Sequence, residues 1–139
     1  MLHDPYLQPY RESIERHGVC FEATLWANRE SQRVRFKTFT EMCGLAGKRV
    51  LDAGCSRGDF ASYLIDNRVA FARYIGIDGL AEVIRHAAAQ NLPGCEFHHG
   101  DLLTDESLLS RGEPDIITIS GTLNTMIPRE ARRRRGADV

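Results

Sequence analysis

Residues 50–60 read VLDAGCSRGDF, and the order of residue types in this stretch decides the fold. Val50 and Leu51 favour a strand, whereas Phe60, Ala61, Leu64 and Ile65 recur at the spacing of one helix face. Gly54 to Gly58 therefore reads as the turn that leads from a strand into a helix. Turns of this kind bind ligands. Backbone N–H groups at a helix start face outward, and glycine lets a ligand come close to the main chain.

Outward from this turn the chain alternates. The sequence predicts strands near residues 49–53, 73–78, 96–99 and 115–120, with helices beginning near Gly58 and Leu80. In the second of these helices Leu80, Val83, Ile84, Ala87 and Ala88 fit one buried face. Ahead of them lie a helical segment at 5–17, a linker through Trp26 and a helix over 29–43, with Asn28 as its N-cap and Gly44 as its stop. Strands alternating with helices of this length require crossover connections. They predict a doubly wound α/β layer with a parallel sheet, whose ligand sits at the carboxyl ends of the strands. Three units follow along the chain: a helical lead-in at 1–47, the α/β domain at 48–127 and an arginine-rich tail at 128–139.

A chain of 139 residues, 42% hydrophobic and with a formal charge of -1, has room for one domain with a real core. The opening residues hold no apolar signal core, and no run reaches the roughly 18 apolar residues of a membrane helix, so a cytoplasmic setting is expected. Cys20, Cys43, Cys55 and Cys95 form no C-x-x-C pair and are expected as free thiols. His98 and His99 are neighbours on a strand and point to opposite faces, which argues against a shared metal.

The acids decide which ligand fits the turn. A dinucleotide fingerprint would read G-x-G-x-x-G; counted from Gly54, the chain has Ser56 at the second glycine and Asp59 at the third. Asp52 and Asp59 also bring negative charge to the place where a pyrophosphate would bind, so NAD is not expected there. A ligand with a cationic group and no phosphate suffers no such penalty.

VLDAGCSRGDF resembles motif I of the class I S-adenosylmethionine-dependent methyltransferases, in which an acid is followed by alternate glycines. Three further stretches fall in the order of that family. Asp78 in YIGIDGL resembles the acid that closes the second strand, Asp101 in HHGDLL the acid after the third, and PDIITISGTLN the fourth strand with its turn. The resemblance covers roughly residues 48–124. It implies a Rossmann-like doubly wound parallel sheet preceded by N-terminal helices, and S-adenosylmethionine as cofactor. Ser56 departs from the family's usual glycine. Because a left-handed serine costs on the order of 1 kcal/mol, an ordinary backbone conformation is expected there.

The roles implied by the resemblance are a ribose contact for Asp78 with Gly79 beside it, and an adenine-edge contact for Asp101 with the Leu102 backbone. The Asp52 region and the turn Gly54, Cys55, Ser56 and Gly58 would face the methionine moiety, and Ser120 would follow the fourth strand. Plainer readings stand beside these. Asp78 could cap the next helix, Asp101 could be a turn acid, and Asp59 could be a first-turn acid paired with the helix dipole. The segment WANRESQRVRF resembles a lead-in of some methyltransferases, a tryptophan followed by a helix carrying Gln32, Arg33 and Phe36 that lies across the cofactor mouth. Arg33 or Arg35 could meet the methionine carboxylate or simply be solvated, Trp26 could shield adenine or anchor the linker, and Phe36 and Phe39 read as core.

The family normally continues past the fourth strand, so a sheet of the first four strands only, truncated relative to the family, is expected. Its DIITIS edge, or the segment 122–131 after it, would then invite pairing with a second copy of the chain, most simply as a two-fold homodimer. Ser120, Thr122 and Asn124 are the local candidates for acceptor contacts, with turn and capping roles as the plainer alternative. Arg132 to Arg135 read as a polar helix end in preference to a nucleic-acid contact. The function implied is methyl transfer to an unidentified acceptor; the alternative is a non-catalytic S-adenosylmethionine-binding module or an inactive truncated methyltransferase.

Overall fold

The computed structural model describes residues 7–18 and 28–119. Cys20, Trp26, Ser120, Thr122, Asn124, the 122–131 segment and Arg132 to Arg135 lie outside the described residues.

Four strands form one parallel sheet: β1 (Arg49–Ala53), β2 (Arg73–Asp78), β3 (Cys95–His99) and β4 (Ile116–Ile119). Their order is β3-β2-β1-β4. The chain thus moves outward from β1 to β3 and then returns to the other side of β1, which makes β1/β4 the switch point where an open α/β sheet leaves its ligand crevice. β1 and β2 are central and covered on both faces, so their sequences run apolar almost without a break. The outer strands β3 and β4 are more exposed.

Helices α1 (Gln8–His17) and α2 (Arg29–Met42) precede the sheet, α3 (Asp59–Asp66) joins β1 to β2, and α4 (Ala81–Ala89) joins β2 to β3. Asn28 caps α2 as expected, its side chain accepting the Ser31 N–H at 2.8 Å. Such a cap contributes about 1 kcal/mol. The helix ends at Met42, one residue early, because Cys43 is extended. One face of the sheet holds Val50 and Tyr74 against Phe36, Phe60, Ala61 and Leu64, which joins α2 and α3 to the strands. The rings of Phe36 and Phe60 lie 4.9 Å apart and those of Phe36 and Tyr63 5.6 Å apart. The opposite face buries Leu51, Ala53, Ile75 and Ile77 under Leu108.

Leu108 belongs to a short 3-10 helix, Glu106–Ser110, which the sequence pattern did not predict. Its apolar residues are too few to show a period, and it is started by Asp105, whose side chain accepts the Ser107 N–H. Ala88 is a second difference: the buried stripe of α4 is Val83, Ile84 and Ala87, and Ala88 is exposed. Eight residues along a helix of 3.6 residues per turn rotate a side chain by about 80°, enough to leave the stripe that begins at Leu80.

Candidate functional site

The turn after β1 is held mainly by hydrogen bonds to β2. The N–H groups of Gly54 and Cys55 both donate to the Ile77 carbonyl, at 2.8 and 3.0 Å, and the Gly58 N–H donates to the Cys55 carbonyl at 3.1 Å. The Ser56 N–H donates to Asp78 Oδ2 at 2.9 Å. The expectation of outward-facing N–H groups is therefore corrected at these four residues. A ligand that approached these four N–H groups would have to break bonds already made.

Ser56 has φ of 51°, in the left-handed region, which corrects the expectation of an ordinary conformation. That conformation brings its N–H onto Asp78, so a charge-assisted hydrogen bond offsets the strain. Gly58 is left-handed at φ 87° and starts α3. A Cβ there would stand 3.0 Å from the Phe97 ring. Gly76 in mid-β2 is tighter: a Cβ would lie 2.8 Å from both Cys55 Sγ and the Phe97 ring. A glycine inside a strand marks such a close approach, and this one was the available signal that β2 lies directly under the turn.

Asp78 ends β2 half-buried, with Oδ1 accepting the Leu80 N–H at 3.0 Å and Oδ2 accepting that of Ser56. Leu80 is the N-cap position of α4, so Asp78 does hold the start of that helix, and it ties the turn as well. Burial pushes its carboxyl above the usual range, opposed by these backbone N–H groups and by the nearby His99. Gly79 follows, its carbonyl 3.1 Å from His99 Nε2.

Asp52 is 2% exposed. It faces the α2/α3 side of the sheet, where Tyr74 donates its hydroxyl to Oδ2 and Thr118 donates its own to Oδ1, the latter at 3.2 Å. Burial raises its pKa to about 7 against the pull of these two donors, with the Asp78 charge adding to the rise. Tyr74 and Thr118 are the polar partners that sequence reading missed. Their signal was a phenol and a hydroxyl inside apolar strands, each of which needs a partner when buried. Cys55 is buried in the turn, and desolvation first and the carboxylates of Asp78 and Asp52 second hold its thiol well above the ordinary range.

Asp59 is tied on both oxygens. Gln32 of α2 donates to Oδ2 at 2.8 Å, and Arg57 donates to Oδ1 at 2.8 Å. Gln90, the residue that ends α4, donates its amide to the Arg57 carbonyl at 2.8 Å. Arg33 pairs instead with Glu30 on the surface of α2, and Phe36 is core as expected.

Asp101 stands beyond β3 as a turn acid. Its Oδ1 accepts the Leu103 N–H at 2.9 Å, and its carbonyl accepts those of Thr104 and Asp105 at 3.2 and 3.0 Å. Leu102 is half-buried against the Leu51 cluster. The structure thus brings Asp52, Cys55, Ser56, Gly58 and Asp78 into one connected group, with Asp101 at the neighbouring strand end. Among the described residues no three His, Cys, Asp or Glu side chains converge as metal ligands, and no helix is long and apolar enough to cross a membrane. Cys43, Cys55 and Cys95 are free thiols.

Solved structures share the fold. The plantazolicin methyltransferase BpumL in complex with SAH matches at 24% identity with a TM-score of 0.58, over 83% of this chain and 45% of that one. Phosphoethanolamine N-methyltransferase 1 of Haemonchus contortus, in complex with phosphoethanolamine and S-adenosylhomocysteine, matches at 14% identity and 0.53, over 70% and 21%. DhpI in a SAM–HEP complex matches at 19% identity and 0.51, over 76% and 47%. At these identities the likeness is one of fold, and the chain spans less than half the length of each of the three. No curated protein matches the chain in sequence. A family profile described as a methyltransferase domain matches residues 45–131, well over half of the chain, and the chain belongs to that methyltransferase domain family.

Proposed function

We propose that the chain binds S-adenosylmethionine at the carboxyl ends of β1, β2 and β3 and serves methyl transfer from it. The observation that carries this reading is Asp78. Its oxygens accept the Ser56 and Leu80 N–H groups, with the Gly79 N–H also acting on the carboxylate, and a carboxylate has about four acceptor sites, so capacity remains for a ribose hydroxyl. The carboxylate is already oriented by the turn and by α4, which lowers the cost of fixing a ligand on it.

The chemistry the cofactor supplies when bound is an electrophilic methyl group on a sulfonium. The chain's own residues bind and orient. Asp78 and Gly79 take the ribose, Asp101 with the Leu102 backbone takes the adenine edge, and Gly54, Cys55, Ser56 and Gly58 line the approach of the methionine moiety. Asp52 stands behind the turn, held by the Tyr74 and Thr118 hydroxyls, and Ser120 follows β4. Transfer of this kind depends mainly on in-line placement of the acceptor, worth several orders of magnitude in rate without a covalent step. Calorimetry with S-adenosylmethionine and with its demethylated product, beside a methylation assay on cell extract, tests the reading. Saturable binding with turnover is expected; binding without turnover would favour a cofactor-binding module, and no binding would sink the assignment.

Self-association along β4 belongs to the same reading. Among the described residues β4 is an edge strand, and its Ile117 and Ile119 are 44% and 49% exposed. A second copy paired there would cover both. Light scattering should report a dimer that Ile117→Lys disrupts; a monodisperse monomer at high micromolar concentration would rule it out.

A further inference from the structure

The loop at 56–59 is held from three separate elements. Asp78 of β2 takes the Ser56 N–H, Gln90 at the end of α4 takes the Arg57 carbonyl, and Gln32 of α2 takes Asp59 Oδ2. Gln32 differs from the other two in origin, since it comes from the lead-in helix, 27 residues before its partner. Without it Asp59 would keep only Arg57, two residues away. With it, both carboxylate oxygens are fixed, and the Arg57 and Asp59 side chains are largely shielded, at 17% and 20% exposure.

Helix α2 is a firm support for such a bond. Phe36, one turn along from Gln32 and on the same face, is buried against Phe60 and Tyr63 of α3. The position of α2 is thus set by aromatic packing, and Gln32 passes that position to the first residue of α3. The chemistry also suits an amide. Asp59 ionised is an acceptor only, so a donor must face it, and a glutamine supplies one without adding a charge.

We propose that Gln32 is a positioning residue: through Asp59 and Arg57 it locks the left-handed loop in the shape that binds the cofactor, so that α2 sets affinity without touching the ligand. The cofactor half of this inference rests on the reading of the loop as the S-adenosylmethionine site.

Two variants and two readouts test it. Gln32→Glu keeps the size of the side chain and turns a donor toward Asp59 into a second carboxylate. Adding Asp59→Asn restores a complementary pair, since an asparagine amide can donate to the new glutamate while its oxygen still accepts from Arg57. In amide hydrogen exchange on the ligand-free chain, Ser56 and Gly58 should exchange on the order of tenfold faster in Gln32→Glu, with Leu51 and Ile75 in the strands unchanged, and should recover in the double variant. In calorimetry, S-adenosylmethionine affinity should fall by about tenfold and recover likewise. Unaltered exchange at Ser56 and Gly58 would overturn the inference, as would equal acceleration of the strand amides or failure of the double variant to recover. An unmodified chain that binds no S-adenosylmethionine would remove the cofactor reading, while the exchange data would still decide whether Gln32 locks the loop.

Discussion

The two ends of β1 solve the same problem, placing polar groups at the end of a buried strand, in opposite ways. At the amino end Arg49 meets Asp115 at 3.2 Å and Glu113 at 3.3 Å, all three exposed to solvent. The pairing holds the Asp115 carboxyl below its ordinary range, through the Arg49 hydrogen bonds first. At the carboxyl end Asp52 is sealed in the sheet, Asp78 is half-buried, burial raises both, and Ser56 sits in a left-handed conformation. Exposed pairs cost little to form and contribute little. Buried acids held by neutral donors and a strained loop are costly, and such features cluster where a protein binds or reacts. The contrast therefore separates an exposed, ion-paired end from a buried, strained end within one five-residue strand, and the second is the end proposed to bind the cofactor.

Asp52 gives the largest expected effect. Its pKa rises from an ordinary 3.8 to about 7 in the folded chain, so the native state holds the proton over that window and the unfolded state does not. The native state binds more protons there, and stability falls as pH rises from about 4 through 7, by an upper bound of about 4 kcal/mol. Asp52→Asn should flatten that slope in denaturant melts taken at several pH values. An unchanged slope would place the pH dependence elsewhere.

Asp78→Ala comes next. Loss of a charge-assisted hydrogen bond to the ribose should weaken S-adenosylmethionine binding by roughly 1.5 to 3 kcal/mol, or tenfold and more in dissociation constant. Calorimetry on the folded variant reads this directly, and equal affinity would remove Asp78 from the site. Ser56→Gly acts in the other direction and by less. Relief of the left-handed serine should raise stability by about 1 kcal/mol or slightly under, since glycine gives part of the gain back in the unfolded chain. A lower melting temperature would mean that the serine side chain, and not its N–H, is what the loop needs. The smallest effect is expected at the amino end. Asp115→Ala should shift the melting temperature only slightly, and added salt should shrink even that difference. A large, salt-insensitive loss there would erase the distinction between the two ends.

The elements were legible because they are local. Asn28 followed by a helical run, the strand Arg49–Ala53 and the strand Arg73–Asp78 are written in short-range pattern, and each forms where the pattern puts it. The site was legible as an order of acids and glycines but not as a set of contacts. Asp52 meets Thr118 across 66 positions, Arg57 meets Gln90 across 33 and Asp59 meets Gln32 across 27. Those partners depend on β4 lying beside β1 and on where α2 docks, and neither is encoded in spacing. Ser56 fails for a related reason: its local preference opposes the left-handed region, and a carboxylate from β2 outweighs that preference.

The burial of Cys55 beneath the β2 glycine makes the chain its own chemical clock. Cys43 is exposed, Cys95 is half-buried with its thiol raised to about 11, and Cys55 is buried with its thiol held well above the ordinary range by desolvation. Only a thiolate reacts quickly with an alkylating reagent, so among the described cysteines Cys43 would be modified first, Cys95 next and Cys55 last, at the rate at which the loop lifts from the sheet. Anything that fastens the loop would delay that final step. A mass spectrum of the Cys55 peptide taken at intervals would then time the opening of the loop.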